Sequence, residues 1–228
     1  MLNAKILVVD DESRIRKLLK DFLGQKGFVV IEAEDGKKAL NIFEEKSKEI
    51  DMILLDVMMP NMDGWSTLRE IRKISKVVPV IMITARGEEH DELFGYELGV
   101  DQYISKPFSP KILVARVEAL LKRTKQDEDV NIEYEGILIN SKARTILIDE
   151  KNVDFTLMEY ELLKYLILNK NIALSRDKII NDVWEYDYYG ETRTIDSHIK
   201  KIRKKLGKKG SLIQTIRGVG YKFGAEIK

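Results

Sequence analysis

Cysteine is absent from this sequence, which excludes disulfide bonds, thiolate metal sites and cysteine nucleophiles together. Long hydrophobic runs are missing as well. The longest, residues 77–83, has seven members and contains Pro79, whereas a helix that crosses a bilayer needs about 20 apolar residues. The composition, 44% hydrophobic and 34% charged, is that of an ordinary folded protein. The lack of cysteine favours a reducing compartment, and we expect the chain to work in the cytoplasm.

An overall excess of either charge is also lacking, because the net charge of the 228 residues is only +1. This balance hides a local imbalance. Residues 192–209 contain eight lysines and arginines but a single acid, Asp196. Such a concentration of positive charge predicts a polyanionic partner for this segment.

The first half of the chain alternates short aliphatic runs with amphipathic stretches. Five runs have the composition of buried strands, and they cover residues 6–9, 29–31, 53–55, 80–83 and 103–104. Apolar residues at helical spacing separate them. The alternation predicts an α/β domain over residues 1–122: a doubly wound, flavodoxin-like sheet of five parallel strands with helices on both faces.

A polar segment over residues 123–131 has no apolar periodicity, and we interpret it as a linker. The pattern then changes. Residues 132–228 contain short strand-like runs (137–139 and 145–148), three helical stretches and a hairpin pattern over residues 213–223. The first of these helices is predicted to begin at a capping box formed by Thr156 and Glu159. This half therefore predicts a separate α+β domain.

The last predicted helix, residues 192–206, has two contrasting sides. Its apolar stripe consists of Ile195, Ile199, Ile202 and Leu206, and the opposite side carries Arg193, Ser197, Lys201 and Lys204. A run of charge is usually only a solvated surface. Here the acids that would balance it are nearly absent, so a nucleic-acid surface is the better interpretation.

Carboxylates follow two of the predicted strands of the first domain. Asp10 and Asp11 end the first strand, and Asp56 ends the third. In a doubly wound sheet these strand ends open into one crevice, where three negative charges repel unless a cation is bound. Ligands that are all oxygen favour Mg²⁺ over zinc. A single acid at a strand end is usually just solvated, but three at adjoining ends predict a magnesium site.

Two donors complete the predicted crevice, because Thr84 ends the fourth strand and Lys106 ends the fifth. Alone, the threonine would usually be structural and the lysine solvated. Together with Mg²⁺ they supply the positioning and charge neutralisation that phosphoryl transfer requires. Asp56 would then be the nucleophile.

Residues 3–122 resemble the receiver domain of two-component response regulators, on the motifs ILVVDDE, LLDVMMPNMDG, MITAR and ISKPF in this order. The resemblance implies that Asp56 accepts a phosphoryl group from a sensor histidine kinase. It also implies Mg²⁺ ligands, namely Asp11, Asp56 and the Met58 carbonyl, with Asp10 bound through water.

Further implications of this resemblance concern the phosphoryl group. Lys106 and Thr84 would contact its oxygens, and the bond between Lys106 and Pro107 would be cis. Thr84 turning toward the phosphoryl group and Tyr103 turning inward would signal phosphorylation to the face formed by the fourth and fifth helices. A half-buried strand aromatic without a signalling role fits Tyr103 equally well.

Residues 132–225 resemble the winged-helix DNA-binding domain of the OmpR/PhoB family, on the motifs FTLMEYELL, RTIDSHIKKIRKKL and IRGVGYKF. The resemblance implies that residues 192–206 enter the major groove of double-stranded promoter DNA, with Ser197 and Lys201 at base edges and Lys204 on the same cationic side. Arg217 of the wing would reach the minor groove. The implied phosphate contacts are Trp184, Arg193, Thr194, His198 and Arg203.

A loop over residues 185–191 corresponds to the one with which the family touches RNA polymerase, although such a loop could equally pack on its own domain. Taken together, the two resemblances imply a transcriptional regulator controlled by phosphorylation. No turnover of a separate substrate is expected.

The dimer face of the family, which uses the fourth helix, fifth strand and fifth helix, is where this sequence departs from the pattern. Members pair through ion pairs between subunits. In this chain Glu92 stands where a basic residue is usual, and Ile112 stands where an acid is usual. Gln102 replaces the acid that should pair with Arg116. Of the expected pairs, only Asp101 and Arg123 keep opposite charges. We expect the active form to be a homodimer that is weaker or differently arranged, with Ile112 making this face more apolar.

Three other functions fit parts of the pattern. An aspartyl-phosphate phosphohydrolase also uses a strand-end Asp with Mg²⁺, but resembles a pattern with a second Asp two residues later, where this chain has Met58. A regulator that binds DNA without phosphorylation would not need the complete set of pocket residues. A dinucleotide-binding domain is disfavoured, because the first strand runs into VVDDE rather than a glycine-rich turn.

Overall fold

The structure is a computed structural model that describes residues 3–85, 98–123, 131–184 and 193–225. The chain divides into two compact units, residues 1–126 and 127–228. Among the described helices, none combines the length and the apolar composition that crossing a bilayer requires.

The first unit is built on a parallel sheet with the strand order β2-β1-β3-β4-β5. The strands are β1 (Lys5–Val9), β2 (Val29–Ala33), β3 (Met52–Asp56), β4 (Val80–Ala85) and β5 (Gln102–Lys106). The helices of the described residues, numbered in chain order, are α1 (Ser13–Gln25), α2 (Gly36–Lys46), α3 (Gly64–Ile74) and α4 (Pro110–Arg123). α1 packs with α4 and α2 packs with α3. This is the doubly wound α/β architecture that the sequence predicts.

Burial explains why the strands of this unit are so aliphatic. Every residue of β3 is buried, and so are the first five of the six residues of β4. Helices on both faces of a parallel sheet leave no polar side for its central strands. Only at their carboxyl ends do polar side chains appear, and this is where the candidate site lies.

Aspartates start two of the helices that border this edge of the sheet. Asp35 caps α2 by accepting from the Lys38 amide at 2.8 Å, and Asp63 caps α3 by accepting from the Ser66 amide at 2.7 Å. The second oxygen of Asp35 accepts from the Asn61 side chain at 2.9 Å. The loop after β3 is therefore tied to the start of α2.

The second unit is α+β, as predicted. A four-stranded antiparallel sheet contains β6 (Asn131–Tyr134), β7 (Ile137–Asn140), β8 (Thr145–Ile148) and β9 (Lys151–Val153). Three helices follow: α5 (Leu157–Leu168), α6 (Arg176–Trp184) and α7 (Arg193–Leu206). A 3-10 helix (Gly207–Leu212) leads to the terminal hairpin of β11 (Ile213–Ile216) and β12 (Gly220–Phe223), which pairs with the short β10 (Leu174–Ser175).

Two details of this unit bear on the sequence predictions. The capping box at the start of α5 is present as predicted, with Thr156 and Glu159 each bonding the other's backbone. The strand β9 was not predicted, and the reason lies in its turn. Asp149 and Glu150, both with positive φ (48° and 66°), join β8 to β9 without the glycine that normally signals such a hairpin.

Candidate phosphoryl-acceptor pocket and nucleic-acid interface

Three carboxylates meet at the carboxyl ends of β1 and β3. Asp10, Asp11 and Asp56 each offer an oxygen, and these atoms lie within 4.8 Å of one another. The parallel register sets Val9 beside Leu55, so the next residue of each strand reaches the same edge. Asp10 and Asp56 are 1% and 3% exposed, whereas Asp11 faces solvent. A site made of oxygen atoms and open on one side suits a hard divalent cation.

Lys106 extends into this cluster from the end of β5. Its Nζ lies 2.9 Å from Oδ2 of Asp10 and 3.3 Å from Oδ1 of Asp56. The peptide bond from Lys106 to Pro107 is cis, as the resemblance implies. Burial of the ammonium acts to lower the pKa of Lys106, but the hydrogen bond and charge of Asp10, with those of Asp56, outweigh burial and raise it. The lysine therefore stays charged inside the pocket.

The electrostatics of Asp56 reflect an enclosed carboxylate. Burial, the largest influence, raises the pKa of Asp56 to about 6; the Lys106 charge opposes this shift and the Asp10 charge reinforces it. One ammonium does not balance three carboxylates. A divalent cation would supply the missing positive charge, and the donor set therefore fits Mg²⁺.

Thr84 and Tyr103 lie on the strands next to the cluster. Thr84 is 8% exposed, and its Oγ1 donates to the carbonyl of Ala85 at 2.9 Å, so a contact with a phosphoryl oxygen requires the hydroxyl to turn. The Tyr103 ring is buried, 6.2 Å from the centroid of Trp65. This inward position is compatible both with a switch residue and with an ordinary core aromatic.

The loop after Asp56 returns close to the end of β3, where α3 begins. Met58 is 72% exposed, and a metal contact by its main-chain carbonyl stays a prediction from the resemblance. Gly64 donates its N–H to the Val57 carbonyl at 2.9 Å, and a Cβ at this position would lie 2.2 Å from the carbonyl oxygen of Asp56. Only glycine lets α3 begin so close to the acceptor strand.

Two arginines brace this unit, and sequence reasoning missed both. Arg16 donates to the carbonyls of Asp10 at 2.7 Å and Asp11 at 3.0 Å, which holds the backbone of the acidic pair. Arg72 donates to the carbonyls of Gly99 and Val78, each at 2.7 Å. Each looks like a surface cation of an amphipathic helix in the sequence, where no signal distinguishes a bracing arginine from a solvated one.

Two residues of the expected dimer face, Asp101 and Gln102, are buried within their own domain. Asp101 is fully buried, accepts from the Val80 amide at 2.8 Å and lies 3.2 Å from Arg72. The prediction of an ion pair between Asp101 of one subunit and Arg123 of the other is therefore wrong, because the Asp101 carboxylate is enclosed within its own domain. Gln102 is also buried, at 4% exposure.

Two other members of that face keep some exposure. Arg116 donates to the carbonyl of Tyr103 at 2.8 Å and is partly buried, while Ile112 is 44% exposed on α4. Glu92 and the loop over residues 185–191 lie outside the described residues.

The basic helix α7 buries the predicted apolar stripe, with Ile195, Ile199, Ile202 and Leu206 each at most 2% exposed. Its exposed residues are Asp196, Lys200 and Lys204, and Ser197 is partly exposed. The predicted nucleic-acid side is therefore present, but it is rotated: Lys200, and not Lys201, lies between Ser197 and Lys204. The side chain of Arg193 is outside the described part of the chain.

Burial contradicts the phosphate contact expected of His198. The ring is fully buried and stacks on Trp184, with ring centroids 5.2 Å apart and planes inclined by 25°. Burial lowers the pKa of His198 to about 4, so the imidazole is neutral at pH 7. Trp184 and Thr194 are 3% and 2% exposed, which also disagrees with side-chain contacts to phosphates. Thr194 and His198 therefore lie on the buried side of α7, where Trp184 of α6 packs against His198.

Two further cations of α7 have partners inside the domain. Lys201, expected at a base edge, is only 20% exposed, and its Nζ lies 3.7 Å from Oε1 of Glu159. Arg203, expected at a phosphate, donates to the Ile213 carbonyl at 3.0 and 2.6 Å and to Oγ1 of Thr215 at 2.9 Å. Arg203 thus holds the terminal hairpin to α7, whereas Arg217 is exposed at the tip of the hairpin.

Comparisons with known proteins agree with both units. The model of the response regulator receiver domain matches residues 6–118, and that of the C-terminal domain of transcriptional regulatory proteins matches residues 150–223. The transcriptional regulatory protein SrrA of Staphylococcus aureus is 43% identical over 240 residues, which cover all of this chain and 97% of SrrA.

Solved structures give the same result. A mutant of RitR aligns with a TM-score of 0.77 and 27% identity, covering 97% of this chain and 99% of that one. The response regulator DrrB of Thermotoga maritima, an OmpR/PhoB homolog, aligns with a TM-score of 0.52 and 30% identity, covering 98% of this chain and all of DrrB.

Proposed function

We propose how this protein works from the premise that it belongs to the OmpR/PhoB-type response regulators of two-component systems. Membership makes it a DNA-binding regulator of transcription that works with a sensor kinase. Our proposal assigns the residues: Asp56 accepts the phosphoryl group, and the exposed side of α7 with the terminal hairpin binds promoter DNA. The observation that carries it is the cluster of Asp10, Asp11 and Asp56 with Lys106 inside it.

Asp56 acts as the nucleophile in this proposal. Its carboxylate oxygen forms an O–P bond while the N–P bond of the kinase phosphohistidine breaks, and the bonding electron pair stays on the imidazole nitrogen. Lys106, 3.3 Å from Asp56, lies where negative charge develops on the phosphoryl oxygens. Thr84 donates to another of these oxygens once its hydroxyl leaves the Ala85 carbonyl.

Asp10, Asp11 and Asp56, together with the Met58 carbonyl, would hold the magnesium ion. When bound, the ion neutralises both the carboxylates and the phosphoryl oxygens, which is the main requirement for transfer. Asp10 also holds the Lys106 ammonium at 2.9 Å, so it orients this lysine in addition to any role at the metal.

In the second unit, Ser197 and Lys204 lie on the side of α7 that would face the major groove, with Arg193 at the start of this helix. Arg217 at the tip of the hairpin would reach the minor groove. Contact of residues 185–191 with RNA polymerase, dimerisation of the active form and a cytoplasmic location remain predictions from the family.

Intact-mass measurement after incubation with acetyl phosphate and Mg²⁺ tests the assignment of Asp56. We expect one phosphoryl group per chain, none when the metal is chelated, and none in Asp56→Asn. Asp21→Asn, a change at an exposed acid of α1, serves as the matched control and should be phosphorylated like the wild type. A phosphoryl group that persists in Asp56→Asn would contradict the assignment, and sustained multiple turnover of a phosphate ester would support the phosphohydrolase alternative.

A further inference from the structure

Glu159, in the first turn of α5, is a buried acid that faces the DNA-binding helix. Its side chain is 1% exposed, and Oε2 accepts from the Thr156 amide at 2.9 Å. Two lysines of α7 also reach it. Lys205 is hydrogen-bonded to Oε2, and Nζ of Lys201 lies 3.7 Å from Oε1. The capping box of α5 is thereby also an anchor for α7.

The electrostatics of this cluster favour the ionised form of Glu159. Burial would raise the pKa of Glu159, but the charges of Lys205 and Lys201 outweigh it and hold the pKa below its ordinary value. Glu159 is therefore a buried anion at neutral pH, and it faces the amino groups of Lys201 and Lys205. Removing one member of such a cluster leaves a buried charge without its partner, which is strongly unfavourable.

The lysines of α7 occur as two consecutive pairs, and helix geometry divides each pair. Lys201 and Lys205 are one turn apart and share the side that faces Glu159. Lys200 and Lys204, each one residue earlier, are exposed. One residue is a rotation of about 100° around a helix, so the inward and outward lysines form two separate rows.

Other charged side chains of α7 also have internal roles. Asp196 accepts from Nε of Arg176 at 2.8 Å and from the Tyr221 hydroxyl at 2.7 Å. Arg203 is bonded to the hairpin, with its guanidinium 5.7 Å from the centre of the Tyr221 ring. On the remaining side of α7, Lys200 and Lys204 are exposed and Ser197 is partly exposed, so these three side chains form the row that can approach a groove.

We propose that Glu159 is a positioning residue for DNA recognition: it keeps Lys201 and Lys205 away from DNA and sets the rotation of α7, so that Ser197, Lys200 and Lys204 face the groove. This inference rests on the DNA-binding function proposed above. It replaces Lys201 by Lys200 as the side chain next to the bases. It also means that fewer lysines of α7 contact DNA than the sequence of this helix contains.

Matched alanine variants of the two lysine pairs test the inference in the full-length chain. The probe is a duplex that the wild-type protein selects from a random-sequence library, and affinity is measured at several salt concentrations. Lys200→Ala and Lys204→Ala should each reduce the slope of log K against log salt by about 1, since each removes one contact that displaces a counterion. Lys201→Ala and Lys205→Ala should leave this slope unchanged and lower the unfolding midpoint. A slope that falls by about 1 in either inward variant would overturn the inference.

Glu159→Gln separates positioning from simple support of the fold. Glutamine can still accept from the Thr156 amide, but it releases both inward lysines to contact phosphates. We expect a steeper salt slope and a ratio of selected to scrambled duplex affinity that falls about tenfold, the cost of one lost base contact. A folded Glu159→Gln protein with an unchanged ratio and slope would reject the proposal. If this variant does not fold, the two lysine pairs decide the question by themselves.

The outcomes also separate this inference from the function on which it rests. A wild-type protein that selects no sequence and shows no salt-dependent binding would reject the DNA-binding function. A wild type that binds, with equal slope changes in all four lysine variants, would reject only the role of Glu159.

Discussion

At the scale of single residues, His198 is enclosed by groups from three helices. Trp184 of α6 stacks on its ring, Glu159 of α5 contributes a negative charge, and Lys201 and Lys205 of its own helix contribute positive charge. Burial is the largest influence on the imidazole and lowers the pKa of His198 to about 4. The residue is therefore a neutral core aromatic at pH 7, and protonating it opposes folding.

Acidification should consequently destabilise the second unit before its carboxylates are protonated. The pKa of His198 is lower in the folded state than its ordinary value of about 6.5, so the unfolded chain binds the proton more tightly. Stability is lost as the pH falls from about 6.5 toward 4, by about 2 kcal/mol between pH 7 and pH 5. The pKa of Glu159 is also lowered, so its contribution is lost only at still lower pH.

Urea unfolding at pH 7 and pH 5 measures this loss, with Trp184 as the reporter in a Trp65→Phe background, because the chain has only these two tryptophans. His198→Gln is the control and should lose the extra sensitivity to acid. An equal loss in His198→Gln would assign the pH dependence to another group.

Gly64 makes a second prediction at the residue scale. A methyl group there would meet the Asp56 carbonyl and the Val57 backbone at 2.2 and 2.9 Å, atoms that cannot turn away. Gly64→Ala should lower the free energy of unfolding of the first unit by roughly 1–3 kcal/mol and slow phosphorylation, as measured by denaturant unfolding and intact mass. Gly24→Ala is the control: nothing lies within 4 Å of that position in α1, and alanine should be neutral or stabilising there. Equal stability of the two variants would refute the steric argument.

At the scale of elements, the hairpin of β11 and β12 depends on α7 for its position. Arg203 donates to the Ile213 carbonyl from two nitrogens, and Gly220 lies so close to β10 that a Cβ would sit 2.2 Å from the Leu174 carbonyl. The hairpin is thus held from one side by a side chain and from the other by the backbone. These contacts fix the position of the strands that carry Arg217 at the tip of the hairpin.

Replacing Arg203 by lysine should loosen this hairpin, because an ammonium cannot reproduce the paired donation of a guanidinium. Amide hydrogen exchange in residues 213–223 should become faster, with a protection loss equivalent to about 1–2 kcal/mol for the lost charged hydrogen bonds. Lys204→Ala changes the neighbouring exposed residue and should leave exchange in the hairpin unaltered. Unchanged protection in Arg203→Lys would return Arg203 to its expected role at a phosphate.

Local pattern was enough to predict some elements and not others. The strand ends with Asp10, Asp56 and Lys106 could be predicted, since a parallel sheet brings the carboxyl ends of its strands to one edge whatever the side chains do. The rotation of α7 about its axis, which decides which of its lysines are exposed, could not be predicted. Lys200 and Lys201 look alike in a helical pattern, and the acid that faces Lys201, Glu159, lies 42 residues earlier in the chain.

The same limit explains the errors at Asp101 and His198. Each residue is polar and occupies a position with a surface role in the family, yet each is fully buried here. Asp101 is held by the Val80 amide and Arg72, and His198 by packing on Trp184. These partners come from other elements, so no periodicity near Asp101 or His198 reveals them.

At the scale of the whole molecule, the first consequence concerns dimerisation. Because Asp101 is buried and Ile112 is 44% exposed on α4, we expect ion pairs to contribute less to a dimer through this face and apolar contact to contribute more. Ile112→Glu should weaken the dimer formed with beryllofluoride by about tenfold, since it removes apolar burial and adds a charge. Sedimentation velocity of the full-length chain measures the dissociation constant.

Ile74→Glu is the matched control, because Ile74 is 43% exposed on α3, outside the expected face. The two variants should therefore differ in dissociation constant. A constant for Ile112→Glu equal to that of the wild type would remove Ile112 from the interface.

We propose that phosphorylation at Asp56 controls DNA binding by the second unit. Binding of the full-length protein to its selected duplex, with and without beryllofluoride and Mg²⁺, tests this most directly. We predict that beryllofluoride strengthens binding by the wild type and has no effect on Asp56→Asn. Equal affinity of the wild type in both conditions, at protein concentrations where the acceptor is fully modified, would contradict it.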